Sequence, residues 1–221
     1  MTQRILPVAA ALALALSLCS PADAGNHNGK FALSFAGGHY VKMDRCNFNV
    51  NDCEADLVTD VVELNGWAGI QDAFDIHIVA IDVDEITAAR FGLYGEVATG
   101  PAFEFTDWRS CAMLEIPTDG WPGLGEGNAV SWGAPQAGPN VVIGFVTLYI
   151  LPYTNAKLCA DVDPRVGFAE FCDGSEPVPH CDRTSYSSAF GCVGFNRLGY
   201  NPCTCLPAQS RSWGALKSLY R

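Results

Sequence analysis

The pattern that most narrows the fold is punctuation: short apolar runs, none longer than about a dozen residues after the first 24, are separated throughout by turn residues. The 22 Gly and 13 Pro are spread between those runs and not gathered in a tract. Gly supplies positive φ and Pro pre-sets a turn and removes a ladder donor, so such spacing favours many short strands joined by turns. Helix-period apolar faces are nearly absent before the C-terminus. The 24 aromatic residues are enough to build a core for one domain of generous size.

The strand readings follow from this pattern. Phe31 to Phe35 reads as a first strand, ended by Gly37-Gly38. Asn65-Gly66 is a turn signal. The clearest strand is Phe74 to Val83, with Ile76, Ile78 and Ala80 on one face and His77, Val79, Ile81 and Val83 on the other. Apolar residues on both faces mark a central strand covered on two sides, and they make His77 a core or sheet-facing residue. Ala88 to Leu93, Phe103 to Thr106, Cys111 to Ile116, Lys157 to Val162 and Phe168 to Phe171 read as neighbours, with Val141 to Leu151 a second central strand. Thr118 to Asn128 is a long turn-rich segment. Without intervening helices, the expected fold is all-β: an antiparallel β-sandwich, Ig-like or jelly-roll-like. The segment after Cys172 reads as irregular and stapled by disulfides, and Ser212 to Arg221 as a short terminal helix with Trp213, Leu216 and Tyr220 on one side.

The beginning of the chain carries an address. Met1 to Arg4 is polar with one cation, Ile5 to Leu18 is apolar but too short to span a bilayer, and Ala22-Asp23-Ala24 puts small residues where a signal peptidase reads them. This is a bacterial-type secretory signal, residues 1–24, cleaved to leave about 197 residues starting at Gly25. A rival lipoprotein reading would acylate Cys19, against which stands the bulk of Leu18 just before it. The organisation expected is therefore 1–24 signal, 25–173 β-sandwich and 174–221 a cysteine-rich basic segment packed on the same domain, with the destination periplasmic or extracellular.

Export decides how the cysteines are read. Nine of the ten follow the signal: Cys46, Cys53, Cys111, Cys159, Cys172, Cys181, Cys192, Cys203 and Cys205. In an oxidising compartment they form a disulfide framework, and an odd count leaves one thiol over. Cys46 and Cys53 are plausible partners across a short polar loop, and Cys203 and Cys205 need separate partners because so close a pair strains the bridge. The later connectivity is open. No Cys-x-x-Cys pair or clustered His supports zinc.

Charge divides the chain at the same boundary. Gly25 to Asp173 holds 7 Lys plus Arg against 21 Asp plus Glu, a net of -14, whereas Gly174 to Arg221 holds 5 against 2, a net of +3. So acidic a body argues against nucleic acid or anionic lipid as a partner. The basic tail either folds onto the acidic body or serves for docking or sorting.

Thr87-Ala88-Ala89-Arg90-Phe91-Gly92, Leu114-Glu115-Ile116-Pro117 through Gly120-Trp121-Pro122-Gly123 and Gly125-Glu126-Gly127, Ala169-Glu170-Phe171-Cys172-Asp173, and the ending from Trp213-Gly214 through Lys217 to Tyr220-Arg221 resemble a group of exported bacterial β-rich proteins with a Trp-Gly-x-x-Lys-x-x-Tyr-Arg-like tail. The resemblance covers most of the chain after the signal. It implies export and a β-rich fold; the group has no established activity, so no site residue follows from it.

Candidate chemistry is sparse. There is no Gly-x-Ser-x-Gly elbow, and His27, His39, His77 and His180 are scattered. Glu104, Asp107 and Glu115 are near enough in sequence to permit a carboxylate pair. Asp82 with Asp84, and Asp161 with Asp163, place carboxylates at alternate positions where strands end, which suits calcium as a hard cation. Neither matches the Asp-rich loop with its Gly and distal Glu, and acids at strand ends are ordinarily solvated turn residues. Trp108, Trp121 and Trp132, with Tyr94 and Tyr149, are candidates to stack on sugar rings, Trp121 foremost because it sits in a Pro/Gly-rich turn. Trp108 and Trp132 read more simply as core or loop-pinning residues. The expected function is thus an exported non-enzymatic β-sandwich with a structural or interaction role, no obligatory cofactor and an unidentified partner, a cell-envelope protein or a glycan. The alternative is a secreted glycan-binding module supported by calcium.

Overall fold

A computed structural model describes residues 26–38, 46, 50, 56–61, 73–99, 104–150, 154–175 and 178–203. The expected signal, Cys53, Cys205, Asn65-Gly66 and residues 204–221 with the expected terminal helix lie outside the described residues. Their regular structure is nearly all strand: β1 (Lys30–Gly38), β2 (Asp60–Val61), β3 (Ala73–Ile81), β4 (Glu85–Thr99), β5 (Glu104–Ser110), β6 (Leu114–Pro117), β7 (Gly127–Ala137), β8 (Asn140–Tyr149), β9 (Asn155–Asp161), β10 (Ala169–Cys172), β11 (Cys181–Thr184) and β12 (Cys192–Phe195), with a 3-10 turn at Ser187–Ala189.

The strands form two sheets. The first has the order β1-β3-β8-β5, and the second runs β11-β10-β4-β9-β12-β2, with β7 on β4 and β6 on β7. Among the described residues every ladder is antiparallel except the two-residue β2–β12 pair. One core lies between the sheets. Leu33, Ile76, Ile78, Ile143, Val146 and Leu148 come from the first, and Phe91, Leu93, Val130, Leu158, Phe171, Val193 and Phe195 from the second. Each fully buried Leu, Ile or Phe contributes about 1.5–3 kcal/mol. The architecture is the β-sandwich that the alternating runs predict.

Every residue of β3 is buried, as expected of a strand apolar on both faces. Its second face, with Val79 and Ile81 beside Ala32 and Val142, is covered by Val50 and Leu57. His77 lies there, 2 % exposed and edge-on to Phe145.

Gly92 divides β4. On one edge the strand pairs with β10 up to Arg90 and with β9 from Gly92 onward, while β7 pairs along the other edge as far as Gly92. A Cβ at Gly92 would collide with the Val162 carbonyl oxygen, so only Gly admits the change of partner.

One sequence expectation is corrected here, and two segments gain strands that the sequence does not signal. Cys46 pairs with Cys111, not Cys53, and so ties a distant segment to the end of β5. The segment after Cys172 is irregular and disulfide-stapled over most of its described length, as expected, but it also contributes two short strands. β11 pairs with β10 and β12 with β9, and Cys172–Cys181 and Cys159–Cys192 join directly opposite residues of those ladders. Finally β7, which carries no clear strand signal in the sequence, is an 11-residue strand whose second half is largely exposed. Cys203 is also disulfide-bonded.

Candidate interaction surface

Successive residues of a strand point to opposite faces, so the register of the second sheet dictates what lies on its outer side. Ala89, Phe91, Val130 and Phe171 point into the core, which turns Ala88, Arg90, Ala129, Ser131, Glu170 and Cys172 outward. The ladders align these in two rows across five strands. One row reads Leu114, Ser131, Ala88, Cys172, Cys181; the other reads Ile116, Ala129, Arg90, Glu170, Arg183. Small side chains in the middle, flanked by large ones, leave an open hollow of about 380 Å³, at the lower end of the range for ligand-sized sites.

One wall of the hollow is apolar and faces water. Leu114 and Ile116 form it and are 61 % and 68 % exposed, and Met113, just before β6, is 68 % exposed. β6 pairs only with β7 among the described strands, so these side chains stand at an edge. A solvent-facing edge ordinarily carries charge, and a contiguous apolar group there marks a contact surface.

The opposite wall is a charged network. Glu170 bridges two cations, its Oε1 3.3 Å from Arg90 Nε and its Oε2 3.3 Å from Arg183 Nε. Arg183 lies over the Phe168 ring at 4.3 Å from its centre. Asp163 is fully buried and accepts Arg165 Nε at 2.9 and 3.0 Å and Nη2 at 2.6 Å, while Arg165 Nη1 donates to the Ile116 carbonyl at 2.9 Å. Asp163 therefore holds the turn between β9 and β10 and, through Arg165, the edge strand. Burial alone would raise its pKa, but the hydrogen bonds and charge of Arg165, with Arg90 at 4.0 Å, outweigh this and hold it below the usual aspartate value.

The sequence-predicted site residues are dispersed. Asp82 (φ 56°) turns β3 into β4 and pairs with Lys30 at 3.0 Å, and the Asp84 backbone N–H donates to Asn26 Oδ1 at 3.0 Å. Asp161 accepts the Val162 N–H. The two acidic pairs sit at opposite ends of the Glu85–Gly92 stretch of β4, roughly 23 Å apart at about 3.3 Å per residue. Among the described residues no three His, Cys, Asp or Glu side chains are grouped to hold a metal ion.

Trp121 packs edge-on against Phe91 and Trp108, with ring centres 5.5 and 5.1 Å apart. Trp108 donates from Nε1 to Glu115 Oε2 at 2.7 Å, which also accepts Asn128 Nδ2 at 3.1 Å. Trp132 Nε1 donates to the Cys111 carbonyl. Trp108 and Trp132 are half-buried against the core, and Tyr94 and Tyr149 stand on different sheets. Asp107 accepts the Trp108 N–H and pairs with Arg109, and Glu104 lies exposed at the start of β5. The hollow itself escapes sequence reasoning, because its floor of Ala and Ser carries no signal until the register brings those residues together.

No family model matches the chain, and no curated protein matches it. Among solved structures it is similar to a cohesin module of a family 33 glycoside hydrolase from Clostridium perfringens ATCC13124. The identity is 12 % over 76 % of this chain and 97 % of that module, with a TM-score of 0.39.

Among the described residues no helix is long and apolar enough to cross a membrane.

Proposed function

We propose that this chain is an exported β-sandwich interaction module, acting in the periplasm or outside the cell, that binds a protein partner on the outer face of β6, β7, β4 and β10. The observation that carries the reading is the exposed apolar wall of Leu114 and Ile116, with exposed Met113 next to it in the chain, beside a hollow floored by Ala88, Ala129 and Ser131. Covering it removes apolar surface from water at about 25 cal/mol per Å². The disulfides Cys46–Cys111, Cys159–Cys192 and Cys172–Cys181 support an oxidising compartment. The glycan alternative rests on Trp121, whose ring is engaged by Phe91 and Trp108, and so has less to support it.

The test places a photo-cross-linking side chain at Met113 and, as a control, at Tyr94, in cells that export the protein. A discrete adduct from Met113 alone, abolished by Leu114→Asp with Ile116→Asp, is the expected result. No adduct, or one that survives both substitutions, would contradict the proposal.

A further inference from the structure

The charged wall specifies the partner more closely. Three of the seven Lys and Arg among the described residues, Arg90, Arg165 and Arg183, gather in or beside the hollow with three carboxylates, Asp163, Glu170 and Glu115. This gathers nearly half of the described cations at one place on a chain whose net charge is -11. The three are not equivalent. Arg165 commits its guanidinium to Asp163 and to the Ile116 carbonyl. Arg183 commits only Nε, to Glu170, while the Phe168 ring lies against its guanidinium and its side chain is 64 % exposed. Held by a carboxylate on one edge and an aromatic face below, it presents both Nη groups outward in the planar fork that matches a carboxylate. Because its orientation is already fixed, less side-chain freedom is lost on binding.

On these grounds, and resting on the interaction reading above, we infer that the occupant is an extended acidic segment of a partner protein, which sets an apolar side chain in the hollow and a carboxylate on Arg183. The spacing follows from the row Ile116, Ala129, Arg90, Glu170, Arg183. From Ala129 on β7 to Arg183 on β11 is three strand spacings, roughly 14 Å at about 4.8 Å each, which an extended chain crosses in about four residues. The recognised pattern is an apolar residue followed about four positions on by Asp or Glu. The -14 body does not forbid this, since its field is screened beyond about 8 Å at physiological salt.

The experiment is fluorescence anisotropy with the mature, disulfide-intact chain and three labelled decapeptides: one with Leu and, four residues on, Glu; the same with Gln for Glu; and the same with Ser for Leu. The Glu peptide is expected to bind about tenfold or more tighter than the Gln peptide, as a charge-assisted hydrogen bond implies. Arg183→Gln abolishes that difference, and the Ser peptide fails to bind. Equal binding of the Glu and Gln peptides, or an unchanged preference in Arg183→Gln, would overturn the acidic partner while leaving the apolar surface standing. Failure of all three peptides with the Met113 adduct intact also overturns this inference alone. Failure of the peptides together with loss of the adduct overturns both.

Discussion

Asp163 is a carboxylate at a strand end, the kind of residue that ordinarily faces water, yet here it is fully buried. It stays charged because the Asp163-Pro164-Arg165 turn returns a guanidinium onto it and the Arg165 backbone N–H also donates to Oδ1 at 2.9 Å. Removing Arg165 would strand that charge, so Arg165→Ala is expected to cost about 2–3 kcal/mol, less than a wholly buried pair because Arg165 is partly exposed. The pH dependence has a definite sign. The folded pKa of Asp163 lies below its usual 3.8, so its stabilisation is complete above that value and is lost as pH falls through the lower folded value. Urea unfolding from about pH 5 to about pH 2 should therefore show a shallower acid limb in Asp163→Asn than in the wild type; identical limbs would contradict the assignment. Asp173 contributes with the same sign. Burial opposes ionisation there, and the Ser175 and His180 N–H groups more than offset it. Sequence alone places Asp163 among calcium candidates, because two acids around a Val look alike whether they face solvent, a cation or an arginine two residues on.

Among the elements, β8 shows how tightly the first sheet is fitted. A Cβ on Gly144 would overlap the Trp108 ring and lie 2.5 Å from the Arg109 carbonyl oxygen. Gly144→Ala is thus expected to destabilise by about 1–3 kcal/mol and to move Trp108, visible as a change in tryptophan fluorescence. The disulfides should rank by the loop each closes: removing Cys46–Cys111, with a separation of 65, should cost more than removing Cys172–Cys181, with a separation of 9. Chain entropy puts these at about 4 and about 2.6 kcal/mol, to be compared by denaturant unfolding of the paired Ser variants. Legibility divides along similar lines. β3 and β8 are evident in the sequence because strands buried on both faces are continuous apolar runs. β7 is not, since Ser131 to Ala137 faces mostly water and carries Gly133 and Pro135, and β11 and β12 are not, since four-residue strands with polar or Gly positions become strands only when β10 and β9 supply their ladders. The Cys46–Cys111 bridge is illegible for a related reason, because it depends on which distant segment the fold brings to the end of β5.

For the molecule as a whole, the sandwich places an exposed apolar group on a short edge strand and a cationic network two to four strands away on the same face. Composition and the expected export signal predict a disulfide-stapled β-sandwich with an interaction role, but not where that interaction occurs. Leu114, Ile116, Ala129 and Ser131 are ordinary residues whose alignment exists only in the folded register. If the face serves binding and not folding, Leu114→Asp with Ile116→Asp should leave stability within about 0.5 kcal/mol, as exposed sites usually do, while binding is lost. The most direct test fills the hollow with Ser131→Leu and measures the Met113 cross-link alongside the unfolding midpoint. The account predicts a midpoint at or above that of the wild type and an adduct reduced to the Tyr94 control level; a full adduct from a normally stable Ser131→Leu protein would contradict it.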